Sequence, residues 1–191
     1  LLITFLVGLM IIIGGLTRLT ESGLSITRWD LFVGIIPPFT VDAWEKSFSL
    51  YKNIPEYKLL NSEMTLSEFK IIFWWEYVHR LLGRIIGLLY LIPLIIFSIK
   101  KNISKNYLSF YSIFFLIVFQ GFIGWYMVQS GLTLNTDVSH YRLSIHLLLA
   151  FIIFSLLFWN YLIYKNNKIE PKISAKLPFA LPAVFIFFLF I

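Results

Sequence analysis

IIFWWEYVHRLLGRIIGLLYLIPLIIFSI, residues 71–99, is the stretch that decides the fold. A helix needs about 20 mostly apolar residues to cross the hydrocarbon of a bilayer, and this run exceeds that. Only helices and closed barrels satisfy their backbone there. The run lacks the strict alternation of a barrel strand, so it reads as a helix. Working outward, Tyr107–Val128 and Leu143–Tyr164 repeat the pattern, Leu1–Leu16 is a partial span, and Leu177–Ile191 begins a fifth. The expected fold is an all-α polytopic transmembrane bundle: a four-helix unit over 1–164, then a linker and the start of a fifth helix over 165–191. Both ends lie inside apolar runs and read as cuts through helices, so a longer natural chain is expected.

Composition agrees. Hydrophobic residues make up 59% of the 191 and charged residues 14%, against about 45–50% and 25% in soluble domains. The mean hydropathy is +0.82. Cysteine is absent, which excludes disulfides and thiolate metal sites from this stretch.

The net charge of +6 is topology rather than a nucleic-acid footprint. Lys100, Lys101 and Lys105 crowd one short loop, 100–106. Lys165, Lys168, Lys172 and Lys176 crowd another, 165–176. Dense lysine in short loops marks the cytoplasmic side. The segments 17–70 and 129–142 then lie outside, and all four assignments alternate correctly. Within 17–70, Pro37 and Pro38 interrupt any helix. Beyond them Trp44, Phe48 and Tyr51 form one apolar stripe. Two readings stand: an interfacial helix on the outer leaflet, or a loop whose aromatics pack on the bundle. Thr65-Leu-Ser-Glu68 has the form of a capping box, placing the next helix start near Leu66. A short echo links Glu21-Ser-Gly-Leu-Ser25 after the first span to Gln129-Ser-Gly-Leu-Thr133 after the third.

The chemistry lies on the second span. Glu76, His79, Arg80, Gly83, Arg84 and Gly87 recur at helical spacing and share one face. A charge inside a span costs at least about 2.5–3.5 kcal/mol, so that stripe faces protein or cavity. Counting back from Lys100 puts Glu76 and His79 near the outer boundary. His146 enters the fourth span about one turn after Arg142. Two histidines at similar depth, beside glycines, suit axial ligation of a haem. Arg18, Arg80, Arg84 and Arg142, with His140, are placed to meet propionates, and Trp74, Trp75, Trp125 and Tyr141 to line the rim. The plainer readings are a packing histidine, interfacial aromatics without a ligand, and Gln120, Gly121 and Gly124 as helix packing. His79, His146 and Glu76 also form a two-histidine, one-carboxylate metal set. Pro93 reads as a kink.

Several stretches together resemble the haem A synthase family of the proteobacterial and mitochondrial type, in its N-terminal half. They are Gly14-Gly-Leu-Thr-Arg-Leu-Thr-Glu-Ser-Gly-Leu-Ser-Ile26, Pro37-Pro38 after Gly34-Ile-Ile, the run from Glu68 to Arg84 containing Trp-Trp-Glu76-Tyr-Val-His79-Arg80, Gly121–Leu132, and Val138–Leu147. The resemblance implies eight transmembrane helices in two pseudo-repeated halves. It implies oxidation of a ring methyl of haem O to the formyl group of haem A, for cytochrome oxidase biogenesis. In that picture His79 and His146 hold the iron of substrate haem O, Glu76 is catalytic, and haem b occupies the other half. The setting would be a bacterial or mitochondrial inner membrane. Lipid, haem O synthase and oxidase assembly factors would be partners, with room for an oligomer. The lack of cysteine points to the branch without a cysteine pair in the first outer loop. The alternative is a di-histidine membrane cytochrome that passes electrons without modifying haem; it has no evident use for Glu76.

Overall fold

The computed structural model describes residues 1–28, 33–100, 107–133 and 135–165. Those residues form six α-helices: α1 (Leu2–Leu19), α2 (Val41–Tyr51), α3 (Pro55–Leu60), α4 (Leu66–Ile99), α5 (Tyr107–Thr133) and α6 (His140–Lys165). Among the described residues there is no strand. Helices α1, α4, α5 and α6 are each long and apolar enough to cross a membrane, so the chain is a polytopic helical membrane bundle. The Lys-rich loop beyond Lys100 and the expected fifth helix lie outside the described residues.

Packing runs α1 on α4, α4 on α5, α5 on α6 and α6 back on α1. The four spans thus close a ring, with α4 and α6 diagonal across it. Two apolar clusters fill it at different levels. Val7, Ile86, Tyr90, Leu94, Ile113, Leu149, Ile153 and Leu157 form one, between the spans. Leu24, Trp44, Phe48, Tyr51, Ile54, Phe69, Phe73, Tyr77 and Val138 form the other, under a cap made by α2 and α3. On α4 the first cluster takes positions from 86 onward and the second takes 69–77. Between them only Leu81 and Leu82 pack against the clusters, one against each.

The cap resolves the two readings of the aromatic stripe. The stripe is helical, capped by Thr40, whose hydroxyl accepts from the Ala43 N–H at 3.2 Å. Its aromatic face is turned onto α4 instead of lipid: Trp44 meets Phe73 edge-on at 4.9 Å and Phe48 stacks on Phe69 at 4.9 Å. Each large side chain so buried contributes roughly 1.5–3 kcal/mol. The expected capping box is formed, with Thr65 and Glu68 bonded reciprocally, so α4 begins inside the cap.

The exit of α1 is a tight reversal. Glu21 N–H donates to the Arg18 carbonyl and Ser22 N–H to that of Thr17, the paired bonds of a Schellman stop. Glu21 takes the left-handed position, φ 52°, where glycine is usual and another residue costs about 1–2 kcal/mol. The two echoed segments adopt different conformations: residues 21–24 form this turn, whereas 129–132 are the last helical turn of α5. They nonetheless meet, because a Cβ on Gly131 would lie 2.7 Å from Leu24.

A polar knot sits inside the cap. Tyr51, wholly buried, donates its hydroxyl to Glu56 Oε1 at 2.8 Å, and Asn61 Nδ2 donates to the Tyr51 oxygen at 2.9 Å. Burial pushes the Glu56 carboxyl up to about 7. The bond from Tyr51 opposes that rise, and the negative charges of Glu76, Glu21 and Asp137 add to it. A carboxyl raised on folding stabilises fully below its unfolded value and loses that contribution as pH rises through its folded value. After correction for intrinsic exchange, amide exchange across 51–61 should therefore quicken between about pH 4.5 and 7, by at most about 3 kcal/mol of local stability. Glu56→Gln should flatten the dependence. A pH-independent exchange rate in the unsubstituted protein would contradict the assignment.

Candidate functional site

A polar layer begins within the cap cluster's stretch of α4, where Glu76, between Phe73 and Tyr77, is its most elaborated member. Its side chain is nearly sealed from solvent, 2% exposed. Oε2 accepts from Ser25 Oγ and from the Ile26 N–H, both at 2.7 Å. Oε1 pairs with Arg80 Nη2 at 2.5 Å. Arg80 reaches further, donating to the carbonyls of Ile26 at 2.9 Å and Arg28 at 3.2 Å. The segment 25–28 is thereby strapped along α4. Farther on, the Tyr77 hydroxyl donates to the Ile35 carbonyl at 2.6 Å, and Arg84 lies against Gly34.

The sequence stripe divides by task. Glu76 and Arg80 hold the strap. His79 and Gly83 face α1: a Cβ on Gly14 would lie 3.2 Å from His79 Nε2, and one on Gly83 would lie 3.2 Å from Met10. Gly87 meets nothing within 4 Å. His146, on the diagonal helix, is set against α5, where a Cβ on Gly124 would fall 3.0 Å from its Cε1. Each imidazole thus occupies space that a glycine on the adjoining helix leaves open.

Gln120, read from sequence as packing, belongs to this layer. Its Nε2 donates to the His146 carbonyl at 3.0 Å and lies 3.3 Å from His146 Nε2. Gln120 Oε1 and His146 Nδ1 are buried without a hydrogen-bond partner. Buried polar atoms are rarely left so, and the imidazole nitrogen without a partner, on the helix diagonal to the one that carries His79, is open to a ligand. The alternative two-histidine, one-carboxylate set is not assembled: among the described residues no three His, Asp or Glu side chains converge, and Glu76 is turned to the strap. Ser25, Ile26 and Gln120 escaped the sequence reading because they serve Glu76 and His146 from other elements, with no local signal.

The remaining candidates sit around the cap end of the layer. Arg18 pairs with Asp137 at 3.1 Å, joining the end of α1 to the α5–α6 connection. Arg142 lies 3.8 Å over the Tyr126 ring and donates to its carbonyl at 2.8 Å. Arg84 donates to the Arg80 carbonyl at 3.0 Å. His140 opens α6 and is exposed. It borders a 420 Å³ surface hollow lined by residues 135–140. Trp74 packs at steep angles among the cap aromatics, Trp125 packs on Phe122, and Tyr141 is 85% exposed.

Known proteins bear on this geometry. The COX15-CtaA family, described as cytochrome oxidase assembly protein, matches residues 1–191. A protein of Pelagibacter ubique named "Heme A synthase" is 56% identical over 170 residues, 88% of this chain and 51% of its own length. Proteins of the same name from Rickettsia bellii and Parvibaculum lavamentivorans are 51% and 48% identical over 88% and 85% of the chain. The chain spans about half the length of these curated relatives. No solved structure gives a significant match.

The Glu76–Arg80 pair yields a stability test. Both side chains are largely buried, 3% and 12% exposed. Removing one partner of a buried pair strands the other and costs about 3–5 kcal/mol. Arg80→Leu should therefore lower the thermal midpoint of the detergent-solubilised protein markedly. Adding Glu76→Gln to it should recover part of the loss. Strict additivity of the two substitutions would show that the pair is not coupled.

Proposed function

The chain belongs to the COX15-CtaA family of cytochrome oxidase assembly proteins, and on that premise we propose that it is the N-terminal half of a haem A synthase. The reaction is oxidation of a ring methyl of haem O to the formyl group of haem A. The observation that carries the reading is the histidine pair: His79 and His146 come from diagonal helices, into a polar layer bounded by apolar clusters, each beside a glycine. A flat macrocycle with two axial imidazoles matches that donor set. The names of the relatives favour haem modification over simple electron transfer.

In this proposal His79 and His146 hold the iron of substrate haem O. Glu76 stands one helical turn from His79 and would serve the porphyrin edge of a bound haem. It moves a proton there or steadies positive charge as the methyl is oxidised. Haem b, the expected resident group, is assigned to the half of the relatives beyond this chain, where it supplies redox chemistry. Arg18, Arg84, Arg142 and His140 are the candidates for propionate contact at the rim. Arg80 starts with that role too, but its engagement with Glu76 and the strap makes it the weakest of the five. Pairing with the second half would give eight helices. The cap end would face outward from a bacterial or mitochondrial inner membrane, with the lysine-rich ends of α4 and α6 on the cytoplasmic or matrix side. Haem O synthase and oxidase assembly factors are the protein partners this function would require.

The test compares the full-length protein with Glu76→Gln by visible spectrum and by the haem types extracted. Haem A in the unsubstituted protein, and accumulated haem O with retained haem binding in Glu76→Gln, is the expected result. Haem b alone in both, with identical low-spin spectra, would favour the electron carrier. Absence of haem from both would remove the ligand roles of His79 and His146.

A further inference from the structure

Glu76 projects from α4, yet most of what fixes its carboxylate comes from another part of the chain. Oε2 receives two donors from the strap, the Ser25 hydroxyl and the Ile26 N–H, each at 2.7 Å. Oε1 receives Arg80 from the same helix. The Ser25 hydroxyl has one proton to give. The Glu76 oxygen at 2.7 Å takes it in preference to the Ile72 carbonyl at 3.4 Å. Ser25 is 2% exposed, so bulk solvent does not reach this bond.

The strap is itself held from both ends. On one side the α1 stop forces Glu21 into the left-handed region, Ser22 is fully buried and Leu24 is wedged against Gly131. A strained residue persists where its surroundings over-determine it. On the other side Tyr77 holds the carbonyl of Ile35. Residues 25 and 26 are thus tied to α4 through Glu76 and Arg80. They can hold a long side chain in one rotamer, which a neighbour on the same helix cannot do alone.

We propose that Ser25 is a positioning residue for the Glu76 carboxylate, and that the 25–28 strap sets that carboxylate's place beside the substrate. The proposal rests on the reading of Glu76 as the group at the porphyrin edge. Ser25 touches neither substrate nor iron in this scheme. It acts through Glu76 by fixing which oxygen is locked and which is shared with Arg80.

The experiment uses the full-length protein with its haems, comparing Ser25→Ala, Ser25→Thr and Glu76→Gln. Three readouts are taken: the haem-binding spectrum, kcat and KM for haem O oxidation, and the carboxylate infrared band identified by its loss in Glu76→Gln. Ser25→Ala should bind haem like the unsubstituted protein and shift the carboxylate band. Its kcat should fall about 10–100-fold, the usual effect of removing a supporting hydrogen bond around a site, with KM little changed. Ser25→Thr keeps the donor and should restore most of kcat. An unchanged kcat and band in Ser25→Ala, alongside an inactive Glu76→Gln, would overturn the proposal while leaving Glu76 in place. Equal loss of haem in Ser25→Ala and Ser25→Thr, with normal kcat in the loaded fraction, would also overturn it by showing a purely structural role. Full turnover in Glu76→Gln would remove the underlying reading and this proposal together.

Discussion

A carboxylate and a guanidinium inside a membrane-crossing helix set the terms for everything around them. Either charge alone is expensive in hydrocarbon. The pair tolerates burial only if its remaining hydrogen-bonding capacity is met. Glu76 and Arg80 meet it by drawing in the backbone of residues 26–28 and the hydroxyl of Ser25. The path of the chain between α1 and the cap follows from that requirement. So does the depth at which α1 must turn, since the strap can reach Glu76 only if the chain reverses directly after Leu19.

The apolar clusters have a complementary role. Below the layer, Ile86, Tyr90 and Leu94 of α4 pack against residues of α1, α5 and α6. Above it, Phe69, Phe73 and Tyr77 pack under α2. With packing on both sides, the polar face of α4 at this level does not have to carry the core. Gly14 and Gly124 then let α1 and α5 approach the histidines without displacing them.

Much of this was legible in the sequence because it is local. The spans follow from run length, the α4 start from Thr65 and Glu68, and the charged stripe from helical spacing. His79 and His146 could be paired because counting residues puts both at similar depth on helices of the same direction. What was not legible is tertiary. Ser25 lies 51 residues from Glu76, and nothing in a Ser-Ile pair announces that it will cap a distant carboxylate. Gln120 has the same sequence context as a packing residue, and only the register of α5 on α6 brings it to His146. The aromatic stripe of α2 left a helix on lipid and a loop on the bundle both open, and the choice depends on where α4 begins, because Phe69 and Phe73 are what the stripe packs on.

The spacing of Glu76 and Arg80 also matters before the protein is finished. They are four residues apart, so the ion pair forms within α4 itself. The two opposite charges therefore neutralise each other within one helix, with no other span required for the pairing itself. Residues 25–28 precede α4 in the chain and are made before it. The strap can close on the pair as soon as the helix enters, ahead of α5 and α6. The half of the bundle that holds Glu76 can thus be assembled in order of synthesis, with His146 arriving last to complete the layer.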